Sequence, residues 1–143
     1  MKRILFALLS LFLAVGVATT RAQTQPAPVA ASPENAAAFL GDWNISADGN
    51  YGPATFALTL KVTEGKIVGQ ISSQAMSPST ISNISKAGPT LILRYVFDYN
   101  GSPVNALITL TPGENNAVNA SLDFADGAAQ MSGTATKATQ KTN

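Results

Sequence analysis

From Ala54 onward, apolar residues recur at every second position: Phe56, Leu58, Leu60 and Val62 alternate with Thr55, Ala57, Thr59 and Lys61, and Leu122 and Phe124 flank Asp123. A period of two sends successive side chains to opposite faces, which is the signature of a half-buried strand rather than a helix. Turn-forming residues interrupt the pattern at Asp48-Gly49-Asn50, Glu64-Gly65, Ser77-Pro78, Ala87-Gly88-Pro89, Asn100-Gly101, Pro112-Gly113-Glu114-Asn115 and Asp126-Gly127. Seven turns thus separate eight strand-length segments.

The hairpins test one another, because a two-residue turn fixes which residues pair and therefore which share a face. Asn-Gly and Asp-Gly suit such turns, since both central residues need positive φ. Around Asn100-Gly101, Phe97 pairs with Val104, Tyr95 with Ala106, Leu93 with Ile108 and Leu91 with Leu110. Around Glu64-Gly65, Val62 meets Ile67, Leu60 meets Gly69 and Leu58 meets Ile71. Around Asp126-Gly127, Phe124 meets Ala129, Leu122 meets Met131 and Ala120 meets Gly133. In all three registers one face is apolar or small; around Glu64-Gly65 the other face carries Thr59, Lys61 and Gln70, and around Asp126-Gly127 it carries Ser121, Asp123, Gln130 and Ser132. Phe56, Leu58, Leu60, Leu93, Phe97, Ile108 and Leu122 are expected to form one core.

No connection is long enough for a crossover helix, so the strands run antiparallel in sequence order. The fold class is all-β: an eight-stranded antiparallel up-and-down meander closing into a barrel, with a two-sheet β-sandwich as the alternative. The irregular segment is Thr80 to Lys86, where Ile81 and Ile84 point to opposite faces and mark a bulge or an edge.

The ends of the chain read differently. Met1-Lys2-Arg3 followed by the apolar run Ile4 to Ala18, with Thr20-Arg21-Ala22 after it, has the pattern of a secretory signal over residues 1–22, with an uncleaved anchor as the alternative. Residues 23–38, rich in Pro, Ala and Gln, read as a linker, with one helical turn over Ala36 to Ala38 capped by Ser32. Residues 39–138 form the single β domain and 139–143 a disordered tail. The expected location is periplasmic or extracellular. Export changes the charge balance: loss of Lys2, Arg3 and Arg21 leaves six basic residues against eight acidic ones, near −2, which gives no support to nucleic-acid or membrane binding. The chain has no cysteine, so the core and not disulfides must hold it, and no histidine, the commonest metal ligand and general base.

Candidate chemistry is sparse. The acids at 48, 64, 114 and 126 lie in turns, and Asp42, Asp98 and Asp123 alternate with inward residues. No nucleophile stands with a base and no carboxylates are paired, so the expectation is a protein that is not an enzyme and that holds no metal or cofactor. Two binding surfaces remain. Trp43, Phe56, Tyr95, Phe97, Phe124 and Met131 would line an interior that accepts a small hydrophobic ligand, with Tyr95 the polar-tipped residue of that face. On the outer face, Ile92, Arg94, Val96 and Leu107 group around an arginine and would form a partner surface for an accessory domain with a filled core. The partner itself is unknown.

Gly41-Asp42-Trp43 on the first strand of an eight-stranded meander resembles the lipocalin and wider calycin pattern. The chain is also similar to small secreted bacterial β domains of unknown role. In lipocalins this tryptophan closes one end of the barrel beneath a basic side chain from the last strand. The resemblance implies that Trp43 and Lys137, the next inward position after Ala129, Met131, Gly133 and Ala135, form that seal. Lysine stands where the family usually has arginine. The long first loop and carboxy-terminal helix of the family are missing.

Overall fold

A computed structural model describes residues 24–139. Its nine strands are β1 (Val29–Ala30), β2 (Gly41–Gly49), β3 (Ala54–Thr63), β4 (Lys66–Ser73), β5 (Met76–Ala87), β6 (Thr90–Tyr99), β7 (Ser102–Pro112), β8 (Val118–Phe124) and β9 (Ala129–Lys137). Strands β2 to β9 are the predicted eight. Each pairs antiparallel with its neighbour in sequence, and β9 returns to pair with β2, so the meander closes into a barrel. Closure rules out the sandwich, whose sheet edges would not meet.

The three hairpin registers match the expected pairs residue for residue: Phe97 with Val104, Leu58 with Ile71 and Leu122 with Met131 are examples. Backbone geometry gives the reason. Glu64 and Gly65 have φ of 50° and 74°, and Asn100 and Gly101 have 54° and 82°, the paired positive values of a turn whose twist suits flanking strands. Inward residues merge into one core in which Ile45, Leu58, Leu60, Ile71, Leu91, Leu93, Tyr95, Ile108, Leu110 and Leu122 are essentially inaccessible. Small inward residues do not hollow this interior. A Cβ on Gly69 would stand 2.7 Å from Ile81 Cδ1 and 2.9 Å from Leu60 Cδ2, so its neighbours already occupy the space. At Gly133 a Cβ would collide with the Ser46 carbonyl and the Ala47 backbone, because β2 and β9 approach closely along the closing seam.

Three expectations need correcting. The turn predicted at Ser77-Pro78 lies inside β5; the hairpin turns instead at Gln74-Ala75, between the paired Ser73 and Met76. Pro78 is tolerated there because the β4–β5 ladder shifts register at this point, and a bulge leaves room for a residue without an N–H. A second shift, between Ile81 and Asn83 of the β5–β6 ladder, is the bulge expected in that segment, and it turns Ile81 and Ile84, expected on opposite faces, both toward the core, opposite Tyr95 and Leu93.

Secondly, the segment expected to be linker is partly built into the domain. β5 pairs with β4 as far as Thr80, and beyond that β1 joins its edge through Val29 with Lys86 and Ala30 with Ser85. Ser32 and Asn35 then exchange side-chain to backbone hydrogen bonds, and a 3₁₀ turn, Ala37–Phe39, carries the chain into β2. Ala36 and Phe39 belong to the core. Thirdly, Ile92 does not join an exposed patch: it is 8% accessible. It pairs across β5–β6 with Ser85, on whose other side Ala30 lies, and the lead-in passes close enough for Pro26 to approach Gly88. The amino-terminal segment covers this stretch of wall. The expected signal over 1–22 and all but the first residue of the expected tail over 139–143 fall outside the described residues.

Candidate functional site

An up-and-down barrel puts alternate turns at opposite ends, and this sorts the candidate residues into two groups. The turns at 64–65, 88–89 and 113–117 share one end with the lead-in and the last residues of β9. Trp43 is there, 4% accessible. Its Nε1–H donates a 2.7 Å hydrogen bond to the Phe39 carbonyl, which satisfies the one polar atom of the ring. Strand pairing sets Lys137 opposite Trp43, and its ammonium stands 5.3 Å from the ring centroid. Gly41 explains the spacing of the tripeptide: its φ of 117° is open to glycine and strained for other residues, and a Cβ there would lie 3.9 Å from the Lys137 Nζ. This end is closed.

The turns at 50–53, 74–75, 100–101 and 125–128 form the other end, and they gather most of the described aromatics. The rings of Tyr95 and Phe97 lie 6.0 Å apart, Phe97 meets Phe124 edge-on at 5.9 Å, and Phe124 stacks on Phe56 at 6.2 Å. Such offset and perpendicular contacts suit rings whose faces are negative and edges positive. Phe97 and Phe124 are only half-buried, so the cluster opens to solvent. Met131, paired with Leu122 one step below Phe124, is nearly buried beside it. Tyr51, in the β2–β3 turn, and Tyr99, the last residue of β6, stand exposed on opposite sides of this rim.

Tyr95 anchors the inner side of this cluster. The residue is 1% accessible, and among the described residues its hydroxyl has no hydrogen-bond partner. Burial pushes the phenol well above its ordinary pKa, because a phenolate would be left without water. Of the six residues expected to line a ligand, five therefore meet at this end, and Trp43 lies at the other. Sequence reasoning passed over Tyr51, Tyr99 and Phe39. The tyrosines lie beside Asn50 and Asn100, where turn chemistry accounted for the sequence, and Phe39 acts through its backbone carbonyl, which no side-chain pattern announces.

On the outer wall Arg94, Leu107 and Asp123 lie side by side in register on β6, β7 and β8, and Val96 beside them is 50% exposed. Together with Asn83 and Asn105 they border a shallow concavity. Asp123 is engaged locally, accepting hydrogen bonds from the Gly127 amide at 2.7 Å and from Gln130 Nε2 at 3.0 Å. Among the described residues no three of His, Cys, Asp and Glu converge as a metal site. No known protein family, curated protein or solved structure gives a significant match to this chain.

Proposed function

We propose that this protein is an exported, non-enzymatic binding module that takes a small apolar ligand at the barrel end opposite Trp43. One observation carries the reading: the Tyr95 hydroxyl is buried without a partner, next to half-open phenylalanines. Buried hydroxyls are nearly always hydrogen-bonded, and a ligand with one polar group would complete this one. The ligand enters the mouth rather than the barrel axis, because the layers beneath are filled. A lipocalin-like ancestry fits this reading, since closure at one end leaves the other for binding. Export rests on the pattern of residues 1–22.

Titration with N-phenyl-1-naphthylamine, a neutral apolar fluorophore, tests the proposal. The signal should saturate at about one site per chain, as a concave preformed site requires, and Tyr95→Phe should weaken binding without loosening the fold. A signal that never saturates, or that appears only as the protein unfolds, overturns it.

A second reading rests on the outer concavity, where Arg94 and Val96 stand exposed beside Leu107. In that case the filled barrel is a scaffold and a protein partner docks on β6 and β7. Arg94→Glu would then abolish partner capture while leaving fluorophore binding untouched.

A further inference from the structure

The two ends of the barrel differ in charge as sharply as in aromatic content. All four lysines of the described residues, Lys61, Lys66, Lys86 and Lys137, lie toward the Trp43 end. The aromatic end has none. Asp48, Asp98 and Asp126 lie in or beside three of its four turns, Asp123 stands just below, and among the described residues the nearest cation is Arg94, midway along β6 on the outer wall. Asp98 accepts a hydrogen bond from the Gly101 amide through one carboxylate oxygen, at 2.8 Å.

We infer that this mouth selects apolar organic cations, such as alkylammonium or quaternary ammonium compounds; the inference rests on the binding site proposed above and names its ligand class. Aromatic faces carry negative charge density that attracts a cation. Exposed Tyr51 and Tyr99 supply such faces at the rim, where the carboxylates add a field of the same sign and no lysine opposes it. A long-chain cation would set its hydrocarbon against Phe97 and Phe124 and leave its head group at the rim beside Tyr99 and Asp98, and a hydroxyl or carbonyl farther along its chain would complete the Tyr95 hydroxyl. Such a ligand keeps its charge at the water boundary, so no ion has to be buried. Anionic amphiphiles such as fatty acids meet the opposite field and are disfavoured.

Calorimetric titration with decyltrimethylammonium, decanol and decanoate, each kept below its aggregation concentration, separates the two levels of the proposal. The cation should bind about tenfold more tightly than the alcohol at low ionic strength, the scale expected of cation–π and rim charges together, and the alcohol more tightly than decanoate. Added salt should shrink the preference. In a combined Asp48→Asn, Asp98→Asn and Asp126→Asn variant, the preference for the cation should shrink to the part the tyrosine faces supply, with Trp43 emission confirming that the fold is kept. Equal binding of cation and alcohol to the parent protein would overturn the selectivity and leave the apolar site standing. Failure of all three to bind would overturn both. Preference for decanoate, lost in Arg94→Ala, would move the site to the outer wall and overturn both as well.

Discussion

The Lys137 ammonium stands 5.3 Å from the centre of the Trp43 ring because the antiparallel β2–β9 ladder makes these two residues partners. The aliphatic stem of a lysine covers an indole while its charge stays in water, and the ring attracts the cation. With its Nε1–H bonded to Phe39, the tryptophan is satisfied on both its polar and apolar sides. Trp43→Ala should therefore cost about 3 to 5 kcal/mol, as large core aromatics do, and Lys137→Ala about 0.5 to 1 kcal/mol, as an exposed cation–π contact does. The chain has a single tryptophan, so emission reports on this site alone. A blue-shifted spectrum resistant to iodide is expected in the folded protein. A red-shifted, freely quenched one would contradict the seal.

Tyr95→Phe should stabilise the unliganded protein. Removing a hydroxyl that is buried without a partner relieves a desolvation cost of about 1 kcal/mol or more. The variant should also change the response to alkali. Burial raises the pKa of this phenol in the folded state, so the unfolded chain releases its proton first. The stability tied to the neutral phenol is complete below the ordinary value of 10.0 and is lost as the pH rises past it. Near pH 11 the loss should reach about 1.4 kcal/mol, and Tyr95→Phe should not show it. Urea midpoints of both proteins between pH 8 and 11 measure the difference.

Glycine-to-alanine changes should separate a packed site from a backbone crossing. At Gly133 the added methyl would meet the Ser46 carbonyl and the Ala47 backbone, which cannot move without opening the β2–β9 seam. At Gly69 it would meet the ends of the Ile81 and Leu60 side chains, which can rotate away. Gly133→Ala should therefore cost more than about 3 kcal/mol and Gly69→Ala about 1 to 2 kcal/mol. Thermal denaturation of the two variants gives the comparison, and equal losses would mean the seam is looser than the register implies.

Leu93→Ala, deep between Ile84 and Ile108, should cost about 2 to 5 kcal/mol. Thr59→Ala loses only a solvent-exposed hydrogen bond to Asp42 and should shift the urea midpoint little.

How much of this was legible in the sequence depended on whether local chemistry or closure decided it. Asn100-Gly101 and Glu64-Gly65 demand positive φ, so their registers, and with them the inward faces, could be read directly. Gln74-Ala75 carries no turn-forming residue, and Ser77-Pro78 nearby carries two, so the turn was read three residues too late. Pro78 is accommodated by a bulge, which only the mismatch between β4 and β5 creates. Val29-Ala30 has no strand pattern of its own; it is ordered because β4 leaves the edge of β5 free beyond Thr80. The same vacancy explains why Ile92, placed outward by alternation, is covered. The aromatic residues of the mouth could be assigned to the inner face, but not to one end. That assignment required the barrel to close, and closure also separated Trp43 from them.

The lead-in yields the last prediction, because its two halves hold to the barrel by different means. Residues 24–31 contribute a two-residue ladder to β5 and the cover near Gly88 and Ile92. Removing them exposes a strand edge and part of Ile92, a loss of about 1 to 2 kcal/mol from a short ladder and one partly uncovered side chain. Residues 32–40 contribute Ala36 and Phe39 to the core and the carbonyl that accepts the Trp43 indole N–H. Removing them as well takes a buried phenylalanine and leaves the indole donor unpaired, which together should cost a further 3 kcal/mol or roughly more. The shorter truncation should keep the emission maximum of Trp43, and the longer one should shift it to the red and lower the urea midpoint sharply. If both truncations leave emission and midpoint unchanged, the barrel ends at β2 and the lead-in only lies against it.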